Sequence, residues 1–390
     1  MPPPPAAPPQ LNQVGDGGET CARSDFLEHY GEAKGFGKLK QILFKKKMAM
    51  PLLNKVPLEN KVAAELSGSN IEEVALALQR GITGGGSSPP GFMEPASDLF
   101  ARVRDGYRVC GAAYRASLGF LKGHEPEHPT LRVVSADMAA GRSGSFFLFS
   151  PDEQFVAKSC SKTEWRTLLR ILPAYVQYVE SRLDNHGQCA SHRDQFHTLL
   201  PGYFGLYSFE LPNSGTFRFL VMANVLAGVK RIHCRFDLKG SLYKRAAGEK
   251  ECKKKTPVYK DLDWKAGESA LRLRGDAHAH LQSVIEADLR FLNEMNLMDY
   301  SLVVGIHRKH ETEVEDPWHW ESLNVKTVED QDRLCFVGLL DILTYYGFLK
   351  RLETWCHTLL GHKGHSCQPP PKYSRRFMDF VTSEVITASE

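Results

Sequence analysis

The chain has 390 residues, of which 42% are hydrophobic and 24% are charged, a composition typical of a globular protein with a large core and two domains or lobes. Its formal charge of +3 is too small to indicate a nucleic-acid partner, and we expect none. The opening letters MPPPPAAPPQ lack the basic and apolar regions of a signal peptide, and no run approaches the roughly 18 apolar residues of a membrane-spanning helix, so we expect any membrane contact to be peripheral.

Two segments precede the expected globular body. Residues 1–24 are rich in proline and then in glycine and polar residues, which predicts a disordered tail. Residues 25–57 include the string KGFGKLKQILFKKKMAMP, a basic amphipathic segment suited to an anionic membrane surface. A solvated helix that packs its apolar side on the body explains the same pattern, so both interpretations stay open.

Helical periodicity followed by strand signals predicts an N-terminal lobe over residues 58–228. The string NIEEVALALQRGI predicts an amphipathic helix, and SDLFARVRDGYRVCGAAYRASLGF carries a second helical stripe. The string GRSGSFFLFSPDEQFVAKSC predicts two strands and a turn, with Lys158 on the second strand. A glycine-serine hairpin beside a strand lysine suits nucleotide phosphates, although an ordinary hairpin with an exposed lysine has the same pattern.

The next segments predict a helix at TEWRTLLRILPAYVQYVESR and two strands joined by the turn PNSG. A C-terminal lobe is then expected over residues 229–390. In it, IHCRFDL predicts a strand that ends in the basic loop DLKGSLYKR, EKECKKK predicts an exposed insertion, and a long helix is expected from about Glu268 to Asn296.

Two aspartates accompany the last predicted strands. Asp299 immediately precedes the buried strand of MDYSLVVGI, and Asp341 is predicted to lie buried inside the apolar strand of LCFVGLLDIL. Burying an unpaired carboxylate costs several kcal/mol, so either residue needs a metal, a catalytic role or structural hydrogen bonds. Together with the hairpin, Lys158 and the basic loop, they match the components of phosphoryl transfer. Neither the D-F-G nor the A-P-E string of protein kinases occurs.

From about Glu72 to its end, the chain resembles the catalytic domain of the phosphatidylinositol phosphate kinase family. The resemblance is carried, in the family's order, by SGSFF, VAK, LLPGYFGLY, VMANV, DLKGS, MDYSL and LLDIL. It implies an α/β fold of the α+β type, two-lobed, with antiparallel sheets, an ATP cleft between the lobes and a flat basic membrane face. It also implies ATP and Mg as cofactors, a phosphoinositide lipid in an anionic membrane as partner, a possible homodimer, and a peripheral location on the cytoplasmic face of membranes, with the plasma membrane expected.

The resemblance implies roles on the nucleotide side. Lys158 resembles the lysine that meets the nucleotide phosphates, and Glu164 is a candidate partner for it, although an exposed Glu164 is equally open. Asp341 resembles the acid that holds Mg. The remaining nucleotide-binding residues implied by the family are those of the hairpin and of the hinge along which adenine lies: Ser143, Gly144, Ser145, Val221, Met222 and Asn224.

The resemblance also implies roles on the substrate side. Asp299 resembles the catalytic aspartate. Lys239 and Arg245 resemble the groups that engage the phosphorylated headgroup, with Asp237 orienting them or the attacking hydroxyl, so Lys239 and Asp237 are counted with the catalytic residues. Two cations suit a substrate that carries one monoester and one diester phosphate.

Substrate choice is expected to depend on the segment from Asp341 through KYSRRF at Lys372–Phe377, which occupies the place of the family's activation loop. In it, KRLETW resembles the pattern of enzymes that use phosphatidylinositol 4-phosphate, and Glu353 stands where the class that uses the 5-phosphate has alanine. This favours a 5-kinase that makes phosphatidylinositol 4,5-bisphosphate. PKYSRRFMDF resembles the other class, so a phosphatidylinositol 5-phosphate 4-kinase stays open.

Two other classes of protein are alternatives to the lipid kinase. A soluble inositol polyphosphate kinase and an inactive phosphoinositide-binding scaffold both stay open, although Lys158, Asp299 and Asp341 together argue against a decayed site.

The nine cysteines lack a paired framework, which favours free thiols in a reducing, cytosolic compartment. Zinc is disfavoured because its candidate ligands have no regular spacing; they are Cys356, His357, His362, His365 and Cys367.

Overall fold

The computed structural model describes residues 68–84, 87–119, 130–134, 145–183, 196–212, 214–227, 232–254, 256–309, 326–330, 332–348, 350–351, 354 and 367–389. The predicted tail and basic segment lie outside these residues. Contacts join Glu59–Glu390 into one compact unit. None of the helices that it describes is long and apolar enough to cross a bilayer.

The described elements alternate between helices and short strands. The helices are α1 (Gly68–Thr83), α2 (Ser97–Gly106), α3 (Gly111–Ser117), α4 (Lys162–Leu183), α5 (Glu249–Cys252), α6 (Asp261–Gly267), α7 (Gly275–Glu294) and α8 (Pro370–Phe380), the last followed by a π-helical turn at Val381–Val385. The strands are β1 (Arg132–Val134), β2 (Phe147–Phe149), β3 (Phe155–Ser159), β4 (Tyr203–Leu211), β5 (Gly215–Ala223), β6 (Cys234–Leu238), β7 (Val258–Tyr259), β8 (Leu271–Leu273), β9 (Leu297–Met298), β10 (Ser301–Arg308), β11 (Thr327–Glu329), β12 (Arg333–Leu340), β13 (Thr344–Tyr345) and β14 (Ile386–Ala388).

The first sheet has five antiparallel strands in the order β1-β2-β3-β5-β4. Its strands are rich in aromatic and β-branched residues, which fit a half-buried pleated surface. The turn between β2 and β3 is closed by side chains: Ser150 Oγ accepts the Phe155 amide at 3.0 Å and donates to Asp152 Oδ1 at 2.6 Å. The hairpin that the sequence predicts around Lys158 is therefore confirmed.

Helices cover this sheet. The first predicted helix is confirmed as α1, whereas the second helical stripe is divided between α2 and α3 because the chain turns at Arg108, whose φ is 56°. Helix α4 buries Leu168, Leu172 and Val176, as its 3.6-residue apolar spacing predicts.

The second sheet has the order β11-β12-β10-β6-β7 and is antiparallel except for the pair β6 and β7. The central strands β10 and β12 are almost wholly buried. The α+β class with antiparallel sheets is thus confirmed. The strands of the two sheets fall in the two halves predicted at residues 58–228 and 229–390, and the exact lobe boundary stays a prediction.

The long helix expected from Glu268 begins later than predicted. Residues Leu271–Leu273 form β8, which pairs in parallel with β14 at Ile386–Ala388. Leu271 and Leu273 are buried while Arg272 between them is exposed, a strand alternation. The helical prediction was wrong there because the strand's partner lies more than a hundred residues further along the chain, where local periodicity gives no sign of it.

The segment Thr198–Gly202 connects the two sheets. The Leu199 carbonyl accepts the amide of Leu339 in β12 at 2.8 Å, and the Gly202 carbonyl accepts the amide of Ala223 at the end of β5 at 2.9 Å. The fully buried Asp288 of α7 fixes the segment, accepting the Leu199 amide at 2.6 Å and the hydroxyls of Thr198 and Tyr178 at 2.7 Å each. These contacts set the spacing of the sheets.

We predict that Asp288→Ala destabilises the protein by about 3 kcal/mol, because it leaves buried donors without an acceptor. Equilibrium urea unfolding measures the loss. The matched control is Asp276→Ala in the first turn of the same helix, whose side chain is 74% exposed and which should cost less than about 1 kcal/mol. Equal losses for the two variants would contradict the role assigned to Asp288.

Candidate active site

Three adjacent strands of the second sheet bring charged side chains to one edge. Strand β6 ends at Leu238 just before Lys239, β10 begins shortly after Asp299, and β12 ends just before Asp341. The register pairs Leu238 with Leu302 and Ser301 with Leu340. Lys239, Asp299 and Asp341 therefore belong to the same edge of the sheet, although they are far apart in sequence.

Asp341 does not lie buried inside the strand, so that prediction was wrong. Strand β12 ends one residue earlier, and Asp341 takes a left-handed backbone conformation with φ of 57°. Its side chain is 59% exposed. The apolar run misled the prediction because Ile342 and Leu343, which continue it, are buried in a turn rather than in the sheet. Asp299 has a similar conformation, with φ of 63°; aspartate is among the non-glycine residues that adopt this region most readily.

Lys158 reaches this edge from the first sheet. Its Nζ lies 2.7 Å from Asp341 Oδ1 and 3.2 Å from Glu164 Oε1. Glu164 is in the first turn of α4, and its other carboxylate oxygen accepts the Ser161 amide at 2.8 Å. The structure thus gives Lys158 the helix glutamate that the sequence could only suggest.

The opposite charges of Lys158 and Asp341 each stabilise the ionised form of the other residue. Burial alone would lower the pKa of Lys158, but the carboxylates of Asp341 and Glu164 outweigh burial and raise it. Burial alone would raise the pKa of Asp341, and the Lys158 ammonium instead lowers it. The Asp341 carboxylate is crowded by protein atoms although its side chain is 59% exposed to solvent. Both groups are therefore charged at neutral pH.

The basic loop at residues 237–245 lies beside Asp299. Lys239 Nζ is 3.0 Å from Asp299 Oδ1 and 2.7 Å from its carbonyl oxygen. Gly240 has φ of 63°, and a Cβ there would meet the Arg376 carbonyl oxygen and the Phe377 Cα at 3.0 Å. Only glycine combines this conformation with this close approach to α8. The glycine of DLKGS therefore lets the loop lie directly against that helix.

Arg245 is held inside the same loop. Its Nε is 2.6 Å from Asp261 Oδ2, and its Nη2 is 3.1 Å from Asp237 Oδ1. Burial would lower the pKa of Arg245, but Asp237 and Asp261 outweigh it and raise the pKa. Sequence reasoning missed Asp261; the acid at the start of a helix, in KDLDW, was the available signal.

Other predicted site residues have structural partners. Ser145 is buried just before β2. Val221 and Met222 lie in β5, which is hydrogen-bonded to β3 on one side and to β4 on the other. Asn224 donates its amide to the Gln154 carbonyl at 2.9 Å and its Nδ2 to the Glu153 carbonyl at 2.7 Å, so it fastens the hairpin turn to the end of β5.

The structure describes only some of the remaining predicted site residues. Ser143, Gly144 and Glu353 lie outside the described residues, so their roles stay predictions. Lys372–Phe377, expected to belong to the activation loop, instead form part of α8, where Phe377 is fully buried. A cavity of about 910 Å³ beside Arg272, His280 and Asp330 includes none of the charged groups described above.

The donor set fits magnesium rather than a closed structural metal site. Within the described ranges, no group of three or more His, Cys, Asp or Glu side chains is arranged to hold a metal. Asp341 offers one accessible carboxylate beside Lys158, and Mg²⁺ typically takes one or two carboxylates together with phosphate oxygens and water. Of the proposed zinc ligands only Cys367 is described; it is buried, with its Sγ 3.4 Å from Thr354 Oγ1.

Comparison with known proteins agrees with the family resemblance of the sequence. A family model described as Phosphatidylinositol-4-phosphate 5-Kinase matches residues 130–330 and 319–384, which include Lys158, Lys239, Asp299 and Asp341. A probable phosphatidylinositol phosphate kinase of Dictyostelium discoideum is 36% identical over 192 residues, 49% of this chain and 24% of that protein. Phosphatidylinositol 4-phosphate 5-kinase type-1 beta of Mus musculus is 29% identical over 291 residues, 63% of this chain and 51% of that protein. The matched part of this chain thus covers about half, or less, of the length of each of these relatives.

We predict that Lys158→Met raises the pKa of Asp341 above its value in the unmodified protein. Removing the nearest ammonium leaves burial opposed only by the weaker attraction of Lys239. A pH titration of the Asp341 carboxyl ¹³C chemical shift measures the change.

Lys239→Met serves as the control for this titration, because Lys239 has the smaller influence on Asp341. It should raise the same pKa by less. An unchanged pKa in Lys158→Met, or equal rises in the two variants, would contradict the assigned pairing.

Proposed function

The chain belongs to the phosphatidylinositol 4-phosphate 5-kinase family, and we propose that it transfers the γ-phosphoryl group of ATP to the 5-hydroxyl of phosphatidylinositol 4-phosphate, giving phosphatidylinositol 4,5-bisphosphate. The observation that carries the proposal is that two ion pairs, Lys158 with Asp341 and Lys239 with Asp299, lie at one edge of the second sheet, which Lys158 reaches from the first sheet. One pair suits a nucleotide and the other a phosphorylated acceptor. The names of the relatives support the choice of lipid and of product.

On the nucleotide side, Lys158 presents a fixed positive charge to the phosphates. Its position is set by Glu164, so binding a nucleotide requires little rearrangement of the ammonium. Asp341 would hold magnesium, which when bound would supply positive charge to offset the negative charge of the phosphates. The exposure of Asp341 leaves its carboxylate accessible for this role.

On the lipid side, Asp299 orients the attacking hydroxyl and accepts its proton. Lys239 contacts both the carboxylate and the carbonyl of Asp299, so the catalytic acid and the headgroup-binding cation are positioned together. Arg245 supplies the second cation for a substrate with two phosphate groups. Catalysis is then mainly positioning and charge neutralisation.

The same proposal places the protein at the cytoplasmic face of membranes, with the plasma membrane as the expected site. The basic segment within residues 25–57 would contact anionic lipid, each lysine near the surface contributing about 1 kcal/mol. A homodimer is expected from the family resemblance.

We predict that the unmodified protein phosphorylates phosphatidylinositol 4-phosphate in vesicles with radiolabelled ATP, and that Asp299→Asn lowers the rate by at least about 10²-fold, because the acceptor hydroxyl loses its base. The phosphorylated position is determined on the isolated product. Asp276→Asn, a surface change, is the control and should leave the rate unchanged.

The other outcomes of this experiment separate the alternatives. Preference for phosphatidylinositol 5-phosphate would keep the family and overturn the assigned isomer. Phosphorylation of free inositol phosphates alone would indicate a soluble kinase, and no turnover of any acceptor would indicate a binding scaffold.

We predict that Glu353→Ala shifts the ratio of kcat/KM toward phosphatidylinositol 5-phosphate, since alanine occupies this place in the class that uses that lipid. Parallel assays on vesicles of each isomer measure the ratio. An unchanged ratio in an active variant would show that Glu353 does not select the substrate.

A further inference from the structure

Asp261 contacts the basic loop from the start of helix α6. It is completely buried. Its Oδ1 accepts the backbone amides of Lys239 at 2.9 Å and Ser241 at 3.3 Å, and its Oδ2 accepts Arg245 Nε at 2.6 Å. A buried carboxylate is tolerated only when charge and hydrogen bonds compensate it. All three of these compensating contacts come from the loop that carries the two headgroup-binding cations.

These contacts fix the loop backbone on both sides of Gly240. The two amides that Asp261 holds belong to the residues immediately before and after that glycine. On its other side, Gly240 lies against the Arg376 carbonyl and the Phe377 Cα of α8. At Gly240 the loop is therefore held between a carboxylate and a helix.

The same carboxylate orients Arg245. Its Nε is engaged by Asp261, and its Nη2 donates to the carbonyl and carboxylate oxygens of Asp237. Within the described part of the chain, Nη1 is the guanidinium nitrogen without a hydrogen-bond partner. Because a guanidinium is planar and rigid, fixing Nε and Nη2 also fixes the direction in which Nη1 points.

We infer that Asp261 is a positioning residue for phosphoryl transfer: it fixes the loop so that Lys239 stays against Asp299 and Arg245 presents Nη1 to a phosphate of the acceptor. This inference rests on the proposed function. It predicts a defect confined to the lipid side of the reaction, because Asp261 contacts neither Lys158 nor Asp341 among the contacts of the described residues.

The test is Asp261→Asn, which keeps the shape of the side chain but removes its charge and can place an NH₂ group against Arg245 Nε. We expect kcat/KM for phosphatidylinositol 4-phosphate vesicles to fall about 10²-fold, as for a small misplacement of reacting groups. The affinity for ATP, measured by titration without lipid, should stay within about twofold. Combining the change with Arg245→Gln should cost less than the sum of the two single losses, because the two residues share the contact between Asp261 Oδ2 and Arg245 Nε.

Asp263→Asn is the matched control. Asp263 lies in the same helix, and its Oδ2 accepts the amides of Ala247 at 2.8 Å and Lys260 at 2.9 Å, beyond the loop that Asp261 holds. Its kcat/KM should stay within about twofold of the unmodified protein. Asp261→Glu keeps the charge on a longer side chain and should be more active than Asp261→Asn. If Asp261→Asn does not fold, Asp261→Glu takes its place in the test.

Amide hydrogen exchange gives a readout that does not depend on activity. Exchange at Lys239 and Ser241 should be faster in Asp261→Asn and unchanged in Asp263→Asn. If the unmodified protein phosphorylates lipid and the two variants have the same kinetics, the inference is overturned. If the unmodified protein does not phosphorylate lipid, the proposed function fails instead, and exchange at these two amides alone supports or overturns the role of Asp261 in fixing the loop.

Discussion

The contact between Lys158 and Asp341 is the interaction on which the arrangement of the site depends. It joins the third strand of one sheet to the end of a strand in the other, so it exists only when both sheets are formed and correctly spaced. A buried ammonium costs several kcal/mol unless it is paired, and Lys158 is 7% exposed. Folding of the two sheets and formation of this ion pair are therefore linked.

The two sheets are also joined at a second place, away from the Lys158–Asp341 contact. The carbonyls of Leu199 and Gly202 receive amides from β12 and β5, and Asp288 holds the intervening segment through the Leu199 amide and the Thr198 hydroxyl. Neither Asp288 nor this segment contacts Lys158 or Asp341 in the described contacts. Buried polar networks that are fully satisfied tend to specify one arrangement, and this one specifies the distance between the sheets.

Sequence reasoning predicted best where the information was local. The β2–β3 hairpin, α1, α4 and the strands around DLKGS and MDYSL follow from periodicity and turn residues, and the family strings identified Lys158, Lys239, Asp299 and Asp341. It failed where a distant partner decides the structure. Strand β8 needs β14, and the contacts of Asp261 depend on how α6 packs against a loop about twenty residues earlier. The left-handed conformation of Asp341 also could not be predicted from the sequence, because apolar residues continue on both sides of it.

The charges at the two ion pairs show what the site requires from its ligands. Lys158 is shared by Glu164 and Asp341, while Lys239 and Arg245 together meet Asp299, Asp237 and Asp261. Arg376, whose Nη2 lies 3.5 Å from the Lys239 carbonyl oxygen and which interacts electrostatically with Asp261 and Asp299, belongs to the same set. These nine side chains carry four positive and five negative formal charges, an excess of one negative charge. Such a set would repel a nucleotide and a phosphorylated lipid if either arrived alone, since both are polyanions. A divalent cation held by Asp341 would offset that excess and would leave Lys158 available to phosphate, in keeping with the proposal that metal and nucleotide bind together.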